Sequence, residues 1–409
     1  MKQKNSWEDY QDNRALAQSL NGLTLAFAKA VGAHQEDAGD NLVVSPYNAV
    51  AALSMVARGA DTETRAEMAQ TLFGTTPEAL DGEIARFARL NDAVLDANKE
   101  QVTLKTANGV WVNNNLVPLK QDYADDLKKT FGAEISGEDF NDATVPAKIN
   151  KWAAENTNNL ITEIVKQLQQ DDYAVLASSL YFKGSWARKF DKDKTEDKAF
   201  NTDDAGAALH PTMQRVFVKD DNLMYQEGAD YKAVSLAYGD SKNPSMRLVL
   251  VRPEDEKVSA RDWLAQQADG NDPAWLGAHE KAVGSVELPR LDIKQKHDLI
   301  PPLKDMGVKA AFDVRAADFS RMADDDLCIG KVTHDVVFKT NEEGSEAAAV
   351  TTVMVLRTAS FEPPPKQVDM KLDRSFVFAL QDNATGAVIF AGAVNRPDGK
   401  KPGTGPKPA

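Results

Sequence analysis

Cysteine is almost missing from this chain: Cys328 is the only one among 409 residues. An internal disulfide is therefore impossible, as is a structural zinc site built on cysteines, and Cys328 reads as a buried small apolar residue. Basic charge is also short, with 48 Lys and Arg against 62 Asp and Glu and a formal net charge of −14. Nucleic-acid binding needs a basic face, so this balance argues against it, and the scattered acidic residues read as a solvated surface. No stretch approaches the roughly 18–20 uninterrupted apolar residues that span a bilayer, so no membrane partner is expected. Met1 to Tyr10 is polar and lacks the apolar segment of a secretory signal. Either the protein is made in the cytoplasm, or the chain is a mature form, for which an extracellular or periplasmic place is favoured.

Motifs that carry catalysis are missing as well. The five histidines, His34, His210, His279, His297 and His334, include no His-Glu-x-x-His pair. There is no Gly-x-Ser-x-Gly elbow, no Walker loop and no Gly-x-Gly-x-x-Gly dinucleotide loop. A scattered Ser/His/Asp triad needs no sequence neighbours, but nothing marks one. No metal, no cofactor and no catalytic residues are expected, and the chain is not read as an enzyme.

What is present is a large store of apolar residues, 42% of the chain, enough for a substantial core. The first third is helical in pattern: Leu16, Leu20, Leu23, Phe27 and Val31 recur at three- and four-residue spacing. Further helices are expected after Ser45-Pro46 as far as Gly59, over Glu63 to Leu72, and over Ala147 to Leu168. From about residue 173 the pattern turns to strands. Val175 to Phe182 is nearly all apolar and suits a strand covered on both faces. Others are expected over Lys232 to Tyr238, Met246 to Val251, Val283 to Ile293, Val332 to Thr340, Ser375 to Leu380 and Ala387 to Val394, the last two as a hairpin. Helices followed by strands, with no repeat and no linker, predict one α+β domain over residues 1–397. Residues 398–409 have the composition of a disordered tail.

One connection stands out. Residues 342 to 365 join two good strand candidates and are far too long for a hairpin turn. They open with Glu342-Glu343-Gly344, pass through Ala347-Ala348-Ala349, and continue as a run rich in β-branched residues. The run carries no charge between Glu346 and Arg357 and no proline before Pro363. Connections of this length in a compact chain are usually functional or disordered, yet this one has the composition of a strand.

These features and several short segments together resemble the serpin family. The segments are Asn41 to Pro46, Ile149 to Trp152 with Thr157, Tyr181 to Trp186, Leu288-Pro289-Arg290, Leu303 to Phe312, Ala317 to Ser320, Asn341 to Ala349, Asp373 to Phe378 and Phe390 to Gly392. Their order and spacing cover the chain from about Leu16 to Pro397. The resemblance implies the serpin fold, an α+β architecture of about nine helices and three β-sheets with an exposed reactive centre loop, here about 342–367. It implies a monomer that acts as a suicide inhibitor of serine proteases, with cysteine proteases as further possible targets. The protease attacks the loop as a substrate, and the cut loop then enters the central sheet and drags the acylated protease with it. The alternative implied by the same fold is a non-inhibitory decoy, carrier or chaperone.

The loop meets the demands of insertion. With Ser345 first to enter, alternate positions are Ser345, Ala347, Ala349, Thr351, Val353 and Val355, all small or β-branched and uncharged. The hinge is Glu342, Glu343, Gly344, Ser345, Glu346, Ala347, Ala348 and Ala349, with Gly344 supplying backbone freedom. In the family the cut falls about seventeen residues into the loop; counted from Glu342, this ends at Thr358 and gives Thr358–Ala359 as the reactive bond. A register one residue shorter gives Arg357–Thr358, suited to a trypsin-like target. Cleavage after Thr358, or recognition of Leu356, suits elastase-, subtilisin- or chymotrypsin-like proteases.

The resemblance also implies a polar cluster under the sheet that governs its opening. Ser45 and His334 match two of its members, while Ser178 stands where the family has asparagine and Asn48 where it has serine. Trp186 matches a tryptophan near the point of loop entry, and Arg290 a basic position that pairs with the loop's first residue, Glu342. As an exposed ion pair, Arg290–Glu342 is expected to be worth about 0–1 kcal/mol.

Overall fold

The computed structural model describes residues 7–399 apart from 38, 205, 220, 222, 270–272, 325 and 346–364. Eight α-helices are present among them: α1 (Trp7–Ala33), α2 (Pro46–Gly59), α3 (Thr62–Phe73), α4 (Leu80–Asn98), α5 (Gln121–Phe131), α6 (Val145–Asn156), α7 (Ala260–Gln266) and α8 (Ile300–Asp305). The apolar stripe read along α1 is the buried one, with Leu16, Leu20, Phe27 and Val31 in the core. Ser45 caps α2 by accepting from the Asn48 N–H, and Pro46 sits in the first turn, where a missing N–H costs nothing. Asp61 caps α3 and the left-handed Gly74 ends it.

The first strands are β1 (Leu42–Val44), β2 (Val102–Asn113), β3 (Glu134–Glu138), β4 (Ala174–Ser185), β5 (Glu196–Thr202) and β6 (Gly206–Phe217). They are followed by β7 (Leu223–Glu227), β8 (Tyr231–Tyr238), β9 (Met246–Pro253), β10 (Glu280–Pro289) and β11 (Leu291–Asp298). The last are β12 (Lys331–Thr340), β13 (Gly344–Ser345), β14 (Lys366–Lys371), β15 (Phe376–Asp382) and β16 (Val388–Val394). One sheet has the order β11-β12-β4-β2-β3, with β13 added on β4. The other runs β1-β16-β15-β9-β8-β7-β10-β6-β5, with β14 beside β10. Its two parts meet through β7, which pairs with both β8 and β10. Counted as separate sheets, these parts give the three that were expected.

Two expectations about elements need correcting. The helix predicted over Ala147 to Leu168 stops at Asn156. Asn158 and Asn159 take positive φ, 49° and 61°, which no helix accommodates. Beyond them, the Asn150 side chain accepts from the backbone N–H groups of Ile164 and Val165, holding this stretch as an ordered return across α6. The single strand predicted over Val283 to Ile293 is two strands in different sheets. The chain changes sheet at Arg290, whose N–H is diverted to the Pro211 carbonyl.

The hairpin at Asp382 to Gly386 forms as expected, with Gly386 at φ 81° and β15 antiparallel to β16. Of the predicted tail, Asp398 and Gly399 are described, and the Gly399 N–H closes a turn on the Arg396 carbonyl. Residues 400–409 lie outside the described residues.

Candidate loop-insertion site

β4 and β12 lie side by side and parallel, but they pair only from Lys331↔Val175 to Val336↔Leu180. Both continue further, β4 to Ser185 and β12 to Thr340, without pairing to each other. At the end of β12 the chain reverses over Asn341 to Gly344, in a turn closed by Asn341 N–H to the Gly344 carbonyl (2.7 Å) and Gly344 N–H to the Asn341 carbonyl (3.0 Å). Gly344 and Ser345 then run antiparallel to β4, opposite Ser185 and Gly184. Glycine is required at the first of these positions. Its φ is 132°, and a Cβ there would stand 2.1 Å from the Gly184 carbonyl oxygen.

The turn is held electrostatically. Glu342 accepts from Arg290 Nε (2.8 Å), forms an ion pair with Arg290 Nη2 (2.6 Å), and accepts from the Thr195 hydroxyl. Burial by itself would raise the Glu342 pKa, but the hydrogen bonds from Arg290 and Thr195 outweigh it and hold the carboxyl below its ordinary range. The pair is not the exposed one expected from sequence. The Glu342 side chain is 3% exposed against 44% for Arg290, because the reversal at Asn341 tucks it behind the Lys189 to Thr195 segment. Glu343 lies between Lys189 and Lys192, and the hydrogen bond from Lys189 is the main reason its carboxyl is also depressed.

An aromatic floor lies below. Trp186 donates its backbone N–H to the Glu343 carbonyl (2.9 Å) and its indole N–H to the Asn341 carbonyl (2.8 Å). Tyr238 stacks on the Trp186 ring, with centroids 4.2 Å apart and planes 15° apart, and its hydroxyl is 3.2 Å from Ser345 Oγ. Burial raises the Tyr238 pKa far beyond the usual phenol range, so the hydroxyl keeps its proton.

Midway along the seam is a polar cluster on the α2 side. The Ser45 N–H donates to His334 Nε2 (2.9 Å), which assigns the ring proton to Nδ1. Ser45 Oγ donates to the Ile389 carbonyl (2.7 Å). Asn48 Nδ2 donates to Ser178 Oγ (2.7 Å), and Asn108 Nδ2 reaches Asn48 Oδ1 (3.3 Å). Ser178 is the register partner of His334 across the seam. Burial, with the neighbouring His297 ring as a smaller cause, drives the His334 pKa down to about 3, so the imidazole is neutral.

The opposite face of the seam carries polar atoms without partners. Asp335 faces its register partner Ser179, both are buried, and Asp335 Oδ2, Ser179 Oγ and Thr333 Oγ1 make no hydrogen bond among the described residues. This face packs on α6, through Val175 and Ala177 against Ile149 and Ala153. Burial pushes the Asp335 carboxyl up to about 6, against a partial offset from Lys296 and Lys331.

The Serpin (serine protease inhibitor) family profile matches residues 18–397. This chain belongs to the serpin family. Serpin-ZXA of Oryza sativa subsp. japonica is 32% identical over 400 residues, covering 92% of this chain and 95% of the relative. Among solved structures, the thermophilic serpin tengpin in its native state superposes with a TM-score of 0.78 at 24% identity, covering 97% of this chain and 96% of that one. Thyroxine-binding globulin in complex with thyroxine superposes equally well, at a TM-score of 0.78 and 21% identity, over 93% of this chain and 99% of that one. At these identities the two superpositions show the fold alone, and one of the two proteins that share it binds thyroxine.

In this serpin the residues singled out from sequence fall into the two places just described. Glu342, Glu343, Gly344, Ser345, Trp186 and Arg290 gather at the top of the seam, and Ser45, Asn48, Ser178 and His334 meet at its middle. Glu346, Ala347, Ala348 and Ala349 lie outside the described residues, as do Arg357, Thr358 and Ala359 of the two reactive-bond registers. Cys328 is half-buried rather than buried, in an irregular segment before β12. Sequence reasoning missed Tyr238, Thr195, Asn108 and Asp335. None of the four carried a local signal: Asp335 sits in a strand that also holds Lys331, Thr333, His334, Lys339 and Thr340.

Proposed function

We propose that this chain is an inhibitory serpin that traps serine proteases as acyl-enzymes. The observation that supports this most is the pairing of Gly344 and Ser345 with β4 where β4 and β12 have parted. Extending that register along β4 sets Ala347 opposite Phe182, Ala349 opposite Leu180, Thr351 opposite Ser178, Val353 opposite Leu176 and Val355 opposite Ala174. Residues paired across an antiparallel ladder share a face. The Ser345 series therefore turns inward with Ser178, and every member is small or β-branched. Charged or bulky residues at 345, 347 or 349 would have favoured the non-inhibitory reading.

The same register fits the cut read from the length of the loop. Val355 meets Ala174, the first residue of β4, so a bond after Thr358 or Arg357 leaves the acyl group just past the end of the strand. Attack by the protease serine on the Thr358 carbonyl carbon forms the ester and releases the Ala359 amine. Insertion then moves the ester toward the far end of β4, roughly 40 Å away for twelve residues at ~3.3 Å each. New ladder bonds, at a net ~1 kcal/mol each, supply on the order of 10 kcal/mol. The uncleaved fold is thus held by a kinetic barrier.

The test is incubation with trypsin, elastase and subtilisin, followed by a search for an SDS-resistant complex and sequencing of the released C-terminal peptide. A complex is expected, with the peptide beginning at Ala359, or at Thr358 in the shorter register. The cleaved chain is expected to melt far above the intact one. Clean cleavage with no complex and an unchanged melting temperature would contradict the reading.

A further inference from the structure

We propose that Tyr238 is the positioning residue of the hinge: its hydroxyl, aimed by the stack on Trp186, docks Ser345 against β4 before any bond is cut, so that insertion begins from a ladder already nucleated. Only the last clause rests on the inhibitory reading; the docking belongs to the uncleaved molecule.

The ring has little freedom. Tyr238 is the final residue of β8 and fully buried, with Trp186 stacked on one face and the Phe182 ring at 5.1 Å and 81°. Its backbone neighbours are tied to the end of β4: the Ala187 N–H donates to the Ala237 carbonyl (2.8 Å) and the Gly239 N–H to the Ser185 carbonyl (2.9 Å). Trp186 is itself pinned to the turn through the Glu343 and Asn341 carbonyls. The phenol oxygen is therefore presented at one place, 3.2 Å from Ser345 Oγ.

Ser345 needs that partner. It is 2% exposed and next to a cluster formed by Phe182, Trp186 and Tyr238, where an unpaired hydroxyl is costly. Gly344 brings the backbone close enough for the contact, since its missing Cβ leaves room for the Gly184 carbonyl. Two pairs of the ladder are thus made before cleavage, and forming the first pairs is the slow part of growing ordered structure. A tyrosine acting only as core filling would behave differently. Its hydroxyl would matter to the whole fold, or to nothing, whatever stands at position 345.

The experiment is hydrogen exchange on the uncleaved full-length protein, comparing wild type with Tyr238→Phe, Ser345→Ala and the double variant. Tyr238→Phe keeps the ring and its stack and removes one oxygen. Each single variant is expected to speed exchange at Glu343 to Ser345 about fivefold, the effect of one neutral hydrogen bond, with residues 174–180 of β4 unchanged. The double variant is expected to add nothing further. Additive effects, acceleration spread evenly over β4 and β12, or no change would overturn the docking.

A second arm measures how many serpin molecules are consumed per protease trapped. Tyr238→Phe is expected to raise this number, and an unchanged number alongside faster hinge exchange would overturn the nucleation clause. A wild-type chain that traps no protease would sink the inhibitory reading and the nucleation clause together, leaving the exchange result to decide the docking.

Discussion

The Glu342 carboxylate is almost wholly buried at 3% exposure, while its partner Arg290, 2.6 Å away, keeps nearly half of its side chain in water. The pair is asymmetric, and the asymmetry sets which partner is costly to lose. Removing the arginine strands a buried anion, whereas the arginine alone could hydrate. Arg290→Met is therefore expected to destabilise the native state by about 1–3 kcal/mol, less than breaking a fully buried pair costs, because Arg290 is half solvated. The sign with pH follows from the lowered Glu342 pKa. Its stabilisation is complete above the carboxyl's unfolded-state pKa and is lost as pH falls through the folded one. Urea midpoints of the two proteins should thus converge in acid and separate at neutral pH.

Asn48 and Ser178 make a complementary test of the mid-seam cluster. Ser178→Ala leaves Asn48 Nδ2 buried without its acceptor and is expected to cost about 1–3 kcal/mol. Exchanging both residues, Asn48→Ser with Ser178→Asn, restores one donor and one acceptor across the same gap. The double variant is expected to recover most of the thermal stability lost by either single exchange. A double variant no better than the worse single would show that the contact depends on more than this pair.

Asp335 gives a pH signature of opposite sign to the usual carboxylate. Its pKa is raised to about 6 by burial, with Lys296 and Lys331 the charged groups acting against the rise. Between the unfolded and folded values the native state holds a proton that the unfolded chain has released, so stability falls as pH rises through this window. Asp335→Asn is expected to stabilise the uncleaved protein by on the order of 2 kcal/mol above about pH 7, with the gain disappearing below about pH 4. His334 works the other way. Its pKa is depressed to about 3, so acid protonates the unfolded imidazole first and draws the equilibrium toward unfolding. A thermal-melt series over pH, wild type against the asparagine variant, separates the two.

Ala349→Arg tests the inward register. Position 349 pairs with Leu180 when the Gly344–Ser185 register is extended, placing a guanidinium in the apolar core beside β4. Burying an unpaired charge there costs several kcal/mol, comparable with the gain from the new ladder. The variant is expected to be cut by the target protease and released as a spent substrate, with the covalent complex lost on a denaturing gel. Undiminished complex formation would contradict insertion in this register.

The amino-acid order by itself determined the local properties of this protein. The α1 stripe, the helix start at Pro46, the two-sided apolar run of β4 and the proline-free alternation from Ser345 to Val355 are all visible in short windows, because helix and strand periodicities repeat within a few residues. Only the tertiary structure decided what those segments meet. Ser45 and His334 are 289 residues apart in the chain, and Tyr238 and Ser345 are 107 apart. No local pattern encodes such pairs, since register is chosen by packing one buried face against another. The same holds for the depth of Glu342 and the lone carboxyl of Asp335. A charge has the same letter in water as in a core, and its energy is set by the neighbours that folding brings to it.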